Sequence, residues 1–573
     1  MNDIRRTILW VIFGFSMVLL WDKWQLHNGN KATFFPTAAP VVAPAPAGTA
    51  SAASAGAASV PATTNASAPA TASAQGASAV PGQPAPTAAP AARERVQVTT
   101  DVYRLTFDSE GGSLTHAELL KHADIGDKSG KNFLLLDESA NRVYVAQTGL
   151  IGGNFPTHKT LMTAVAGPRE LTDGQDELTI RFESPEQGGV KLVKTWTVKR
   201  GAYDIAVKHE VVNTGTAPVS PELYLQLVRD GNKPPGESSF YSTFTGPAVY
   251  TEAKKYQKVE FKDIEAGKVD IQKDATNGYA AMVQHYFATA WLLADGVQRN
   301  LFMRKVDTNL YSVGMITQLG AIAPGASKTL DARLFAGPQV EKTLEALSPG
   351  LELVKDYGWL TILSKPLYWL LDQLHKILGN WGWAIVALVL LLKIAFYWLN
   401  AKAYSSMAKM KSINPKIMEM RERLKDKPQQ MQQEMMRIYR EEKVNPMGGC
   451  FPIMIQIPVF IALYWVLLSS VEMRNAPWIL WIRDLSAPDP FFILPLLMTA
   501  SSLLQTALNP APPDPLQAKM MWFMPLIFSV MFFFFPAGLV LYWLTNNILS
   551  IAQQWLINTR MGVPPQFNLP KFK

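Results

Sequence analysis

Lys393 lies inside the apolar run Trp381 to Leu399. An ammonium in hydrocarbon costs about 2.5 to 3.5 kcal/mol on insertion scales, so a charge at that depth implies a task. No acidic residue stands between Trp381 and Leu399, so the lysine has no partner within its own helix. Water, or a group arriving from outside, must meet the charge. Later apolar runs carry neutral polar residues: Gln456, then Thr499, Ser501, Ser502, Gln505 and Thr506, then Thr545, Asn546, Asn547, Gln553 and Gln554. Such groups bond from helix to helix or face a wet cavity. Together with Lys393 they predict a polar groove within a helical bundle.

Five spans position these residues: Trp381 to Leu399, Phe451 to Val471, Phe491 to Leu508, Met520 to Phe535 and Gly538 to Ile557. The third and fourth are short for a hydrocarbon core of about 30 Å, which implies a locally thinned bilayer. Pro536, Ala537 and Gly538 predict a tight outer hairpin between the last two. Between Asn400 and Asn445 there are eleven Lys and Arg against six Asp and Glu, which reads as a cytoplasmic loop under the positive-inside rule. Within it, Asn414 and Pro415 predict a helix start, and Lys425 to Pro428 a break before a second helix. Ile417, Met420 and Leu424 mark one apolar stripe, and Met431, Met435 and Ile438 another. Eight of the 22 methionines fall between Met407 and Met447. Adaptable thioether side chains suit varied apolar partners, and basic residues suit ribosomal RNA, although Met is also ordinary packing between helices. Met418, Met420, Met431 and Met435, with Arg421 and Arg423, are the hairpin's candidate contacts.

Upstream, Arg5 and Arg6 precede the apolar stretch Thr7 to Trp21, and Trp21, Asp22, Lys23 and Trp24 stand where signal cleavage would need small residues. This predicts an uncleaved anchor over residues 1–26 with its N-terminus inside. Residues 32–92 carry no charge and, from Pro36, consist almost wholly of small residues and proline, giving a flexible linker over 27–92. From residue 93 to 340 the period is two: Val190, Leu192, Trp196 and Val198 share one face, as do Tyr203, Ile205, Val207 and Val211 beyond the turn at Arg200 and Gly201. An antiparallel β-sandwich on the outer side is expected. Residues 341–380 hold an amphipathic helix, Trp359 to Leu378, whose leucines face away from Lys365, Asp372 and Lys376, as in a helix lying on the outer membrane surface, packed against the β domain, or both. The five-helix core spans 381–560, its cytoplasmic hairpin 400–445, and a short cytoplasmic tail 561–573. Six spans follow, with both termini inside.

Cys450 is the only cysteine, so intrachain disulfides and thiol metal clusters are excluded. Gly320, Gly325, Lys328 and Thr329 have the wrong spacing for a phosphate-binding loop. The net charge of +8 is concentrated beside spans, so no DNA partner is expected. An ion-coupled transporter would favour acids in the membrane, and none lies in the five spans. A membrane-tethered periplasmic carbohydrate-active protein would need a positioned carboxylate pair; His209, Glu210 and His285 are available, but isolated His and Glu residues in strands are usually structural.

Glu442 to Tyr464, EKVNPMGGCFPIMIQIPVFIALY, resembles the signature of the YidC membrane protein insertase family, and Trp481 to Met498 and Phe523 to Trp543 extend the likeness. The resemblance implies a non-enzymatic insertase and chaperone of the Gram-negative inner membrane, without cofactor or metal. Its implied partners are nascent membrane proteins, the Sec translocon, the ribosome and inner membrane lipids. It also implies a periplasmic β-supersandwich like that of sugar mutarotases without their catalysis. Lys393 matches a groove arginine of the family, keeping the charge but not the planar donor fork. Tyr542 matches a groove aromatic and Trp543 replaces a tyrosine. Lys393, Gln456, Phe460, Tyr464, Gln505, Tyr542, Trp543 and Asn546 form the expected substrate groove, with apolar segments leaving along the aromatics into lipid.

Overall fold

A computed structural model describes residues 93–124, 130–234, 243–424, 427–442, 451–509 and 515–560, with residues 562 and 567. The expected anchor, the linker, Cys450 and nearly all of the tail lie outside the described residues.

Eighteen strands between Arg95 and Pro338 form two nine-stranded sheets packed face to face. The period-two pattern fixes the register of Val190–Lys199 against Asp204–Asn213: Leu192 lies opposite Val211, Trp196 opposite Val207 and Val198 opposite Ile205. All six side chains are buried, and a one-residue slip would turn each of them outward. Trp196 anchors this core between Phe107, 5.2 Å away by ring centroid, and Trp291 at 6.1 Å. Full burial of one such side chain contributes about 1.5 to 3 kcal/mol.

The helical region begins with α1 (Thr361–Leu378), followed by α2 (Trp381–Ala395), α3 (Tyr397–Arg423), α4 (Pro428–Glu441), α5 (Phe451–Ser469), α6 (Ile493–Leu508), α7 (Pro515–Phe532) and α8 (Ala537–Arg560). Leu367, Tyr368 and Leu371 of α1 pack inward, while Ile362, Trp369 and Ile377 are exposed. The turn into α2 uses Gly379 at φ 66°, where a Cβ would be strained, and Asn380, whose side chain caps the Trp383 N–H at 3.1 Å. Gly382 then admits Trp478: a Cβ there would come within 2.2 Å of the indole.

Two expectations are corrected. The run Trp381 to Leu399 is not one helix; it breaks at Phe396, and the following segment Tyr397–Ser406 turns by 65°. The turn carries Asn400 of α3 to α8, where its amide donates to Gln553 Oε1 at 3.3 Å. Asn414 and Pro415 do not start a helix, because α3 runs through Pro415. Burial of Ile413, Ile417 and Met420 against α4 outweighs the loss of a backbone donor at the proline. The break before Pro428 and both apolar stripes match the expectation.

Among the described residues no single helix is long and apolar enough to cross a membrane; the bent pair Trp381–Ala395 and Tyr397–Ser406 qualifies together. Gln456–Ser469, Ile493–Leu508 and Lys519–Phe532 are shorter apolar helices. The α7–α8 hairpin is tight, and its tip is held by the preceding loop: Ala537 and Gly538 donate to the carbonyls of Ala487 and Leu485 at 2.8 Å each.

The sandwich is seated on the end of α5. Val471 enters the sandwich core. Arg474 donates to the Ala123 carbonyl at 2.5 Å and lies 5.0 to 5.4 Å from the ring centroids of Phe133, Tyr286 and Phe287. His285 bonds the Leu468 carbonyl at 2.9 Å. Beside them the buried Lys355 meets Glu472 at 3.3 Å, and Glu472 also accepts from the Tyr368 hydroxyl of α1 at 2.6 Å.

Candidate functional site

The polar positions of α8 are spaced so that Asn546, Ser550 and Gln553 rise along one helix face. That face meets α2, α3 and α5. Gln456 of α5 donates to Asn546 Oδ1 at 3.0 Å. Lys393 of α2 donates from Nζ to Ser550 Oγ at 2.7 Å, and Ser550 donates in turn to the Asn546 carbonyl at 2.7 Å. Among the described residues Lys393 forms no ion pair. It borders a recess that Phe396, Asn400, Gln456, Tyr542 and Asn546 also line, with aliphatic side chains of α2, α3 and α5 completing the wall. The recess thus holds one formal positive charge among neutral donors, acceptors and aromatic rings. Its chemistry suits a carboxylate or a polar peptide segment.

Aromatic side chains continue from the recess between α5, α7 and α8. Phe460 lies 5.8 Å from Tyr542 and 4.6 Å edge-on from Trp543; Trp543 meets Phe532 at 4.9 Å, and Phe535 lies 6.3 Å from Tyr464. Offset and edge-on rings at these distances pack favourably and present apolar surface that can be exchanged for another apolar chain.

Of the groove residues expected from sequence, Lys393, Gln456, Tyr542 and Asn546 line the recess. Phe460, Tyr464 and Trp543 belong to the adjoining aromatic series. Gln505 of α6 is half-buried and does not line it. Other polar residues fasten helices instead: Asn547 donates to Ser501 and Ser502 at 3.1 and 2.8 Å, and Gln554 to Asn509 at 3.1 Å. Ser550 and Asn400 were missed as site residues. Ser550 carries little signal by itself beyond its place four residues after Asn546, and Asn400 reads in sequence as the edge of the basic loop.

In the hairpin, Met420 is buried and Met431 and Met435 pack partly against it, so these three build the hairpin itself. Met418 is 48% exposed. Arg421 is half-buried and Arg423 exposed.

The sandwich contains a buried polar cluster that period-two reasoning passed over. Lys194 shares the core face with Leu192 and Trp196 and reaches the other sheet, donating to the carbonyls of Gly111 and Thr148 at 2.5 and 2.7 Å. Burial lowers its ammonium to about 7. His209 lies opposite it in register and contacts Thr148 Oγ1 at 3.0 Å. Burial first, and Lys194 second, push that imidazole down to about 3. His209 is therefore a neutral core residue, Glu210 is half-buried beside it, and His285 belongs to the seat on α5.

Residues 95–370 match the family model described as the YidC periplasmic domain, and residues 373–563 match the one described as 60Kd inner membrane protein. A curated relative from Cupriavidus necator, named membrane protein insertase YidC, is 55% identical over 568 residues, covering 98% of each chain. A relative of the same name from Ralstonia nicotianae is 55% identical over 563 residues, again covering 98% of each. A solved structure described as an active YidC insertase with its first transmembrane domain resolved is 20% identical, covers 80% of this chain and 91% of its own, and superposes with a TM-score of 0.37. Two family models in series and near-full-length relatives at this identity establish that the chain belongs to the YidC membrane protein insertase family.

Proposed function

We propose that this chain inserts and folds inner membrane proteins by drawing their hydrophilic termini or loops into the recess beside Lys393, alone or with the Sec translocon. The observation that carries this reading is a cation without an ion-pair partner among the described residues, set in a neutral polar recess that opens onto an aromatic series. A carboxylate brought within about 4 Å of that ammonium gains about 4 kcal/mol at an effective dielectric of about 20. This is comparable to the cost of holding the unpaired lysine at that depth, so substrate and site relieve one another. The apolar part of the substrate then leaves past Phe460, Tyr464, Tyr542 and Trp543 into lipid, and less polar surface crosses hydrocarbon. The membrane potential adds about 2.3 kcal/mol per charge per 100 mV for acidic segments.

Six spans, cytoplasmic termini and an outer sandwich complete the proposed topology, in which the bent pair α2 and α3 provides the first crossing of the core. The hairpin of α3 and α4 faces the ribosome and nascent chains through Met418, Arg421 and Arg423. Inner membrane lipids contact the exposed apolar side of α1. The test is reconstitution: purified protein in liposomes should insert a small coat-type protein in the absence of any small solute, with protection from external protease as readout. Solute flux without insertion would overturn the proposal in favour of a transporter.

A further inference from the structure

We propose that Ser550 is the positioning residue for the groove cation, a role that rests on the groove reading above and adds to it. The inference follows from how the hydroxyl is used. A serine has one proton to give and two lone pairs. Ser550 is 4% exposed, and its proton goes to the Asn546 carbonyl one helical turn earlier, at 2.7 Å. Its lone pairs are therefore left to accept: one meets the Lys393 ammonium, which donates at 2.7 Å, and the other faces the Tyr404 hydroxyl of α3, which also hydrogen-bonds Ser550. The hydroxyl cannot reverse this polarity without abandoning Asn546, so it acts as a fixed acceptor aimed at the charge.

Asn546 ties the same unit to the opposite wall, since its side chain accepts from Gln456 of α5 while its carbonyl accepts from Ser550. Lys393 is thus held by a chain of hydrogen bonds through α8 to α5, and its position in the recess does not depend on the four-carbon stem alone. A lysine side chain is otherwise flexible, with many rotamers open to its four-carbon stem. An ammonium has three donors, and one on Ser550 leaves capacity for a substrate carboxylate. The arrangement also suits the residue found here. A single hydroxyl acceptor matches a point charge, whereas a guanidinium spreads five donors over a rigid plane. Ser550 therefore acts on the acidic segment of a substrate through Lys393, without touching that segment.

The test compares two substrates in full-length protein reconstituted in liposomes, identical except that one translocated tail carries two aspartates and the other two asparagines. Ser550→Ala should lower the insertion rate of the acidic-tailed substrate by about tenfold, the size of one hydrogen bond to a charged group, and leave the neutral-tailed one within about twofold. Ser550→Thr, which keeps a hydroxyl able to bond the same carbonyl, should restore the acidic-tailed rate. In a Lys393→Arg background the effect of Ser550→Ala should shrink below about threefold, because the guanidinium no longer depends on one acceptor. Equal loss for both tails would assign Ser550 a packing role and overturn the proposal, as would unchanged insertion of both. Lys393→Gln in the same assay separates this proposal from the groove reading. If Lys393→Gln loses acidic-tail preference while Ser550→Ala keeps it, only the role of Ser550 falls; if Lys393→Gln keeps it, the groove reading falls as well.

Discussion

Lys393 is legible from sequence because a charge inside an apolar run has few explanations, and the structure gives it a recess and a hydroxyl partner. Ser550 was not legible, because a serine in a helix is usually satisfied by its own backbone, and only the approach of α2 turns it into an acceptor. Lys194 was hidden for the opposite reason. A reader looking for alternating apolar residues treats the polar position between Leu192 and Trp196 as noise, yet it bridges the two sheets. Its consequence is a pH dependence of folding. The folded state releases the Lys194 proton near pH 7, whereas an unfolded lysine holds it up to its ordinary value of 10.5. Between those values the unfolded state binds more protons, so stability should rise with pH, by at most about 1.4 kcal/mol per unit from this group. Thermal unfolding of detergent-solubilised protein, followed by the fluorescence of its buried tryptophans between pH 7 and 9, should lose that rise in Lys194→Met. An unchanged slope would show that the lysine is not the titrating group.

At the scale of elements, the surface helix and the hairpin are set by periodicity, and their boundaries by packing. The leucine spacing of α1 specifies an inner face, and the structure leaves Ile362, Trp369 and Ile377 exposed at 88%, 62% and 79% along another. Lipid is the proposed solvent for that stripe. Brominated lipids should quench Trp369 in a variant that retains it as the only tryptophan of the chain, and Ile362→Glu with Ile377→Glu should reduce the quenching; equal quenching would remove α1 from the membrane surface. The hairpin shows where local rules fail. Pro415 after Asn414 has the chemistry of a first turn, but α3 continues through it because Ile413, Ile417 and Met420 bury together on one side. Local capping preference is worth about 1 kcal/mol, less than the burial of two large apolar side chains. Deleting residues 418–437 should slow delivery of ribosome-borne substrates while post-translational insertion by the remaining core persists. Equal rates for both routes would exclude the hairpin from delivery.

For the whole molecule, alternation and helical spacing distinguish the β domain from the helical region without structural information, but nothing in the sequence reveals how one sits on the other. That contact depends on residues far apart in the chain: Arg474 with Phe133, Tyr286 and Phe287, His285 with the end of α5, and Val471 in the sandwich core. Because α5 also carries Gln456 and Phe460, the sandwich contacts the end of the helix that forms one wall of the recess. Arg474→Ala should weaken this seat by about 2 to 4 kcal/mol, raising amide exchange around residues 284–287 and 468–474 without unfolding either region. Uniform exchange across the chain would mean that the seat contributes nothing.

The central claim is that the recess works by charge. Lys393→Arg and Lys393→Glu, each reconstituted and assayed with a substrate whose translocated tail is acidic, test it most directly. An electrostatic groove predicts insertion within about twofold of the parent protein for Lys393→Arg and near-complete loss for Lys393→Glu. Equal insertion by the two variants would contradict it.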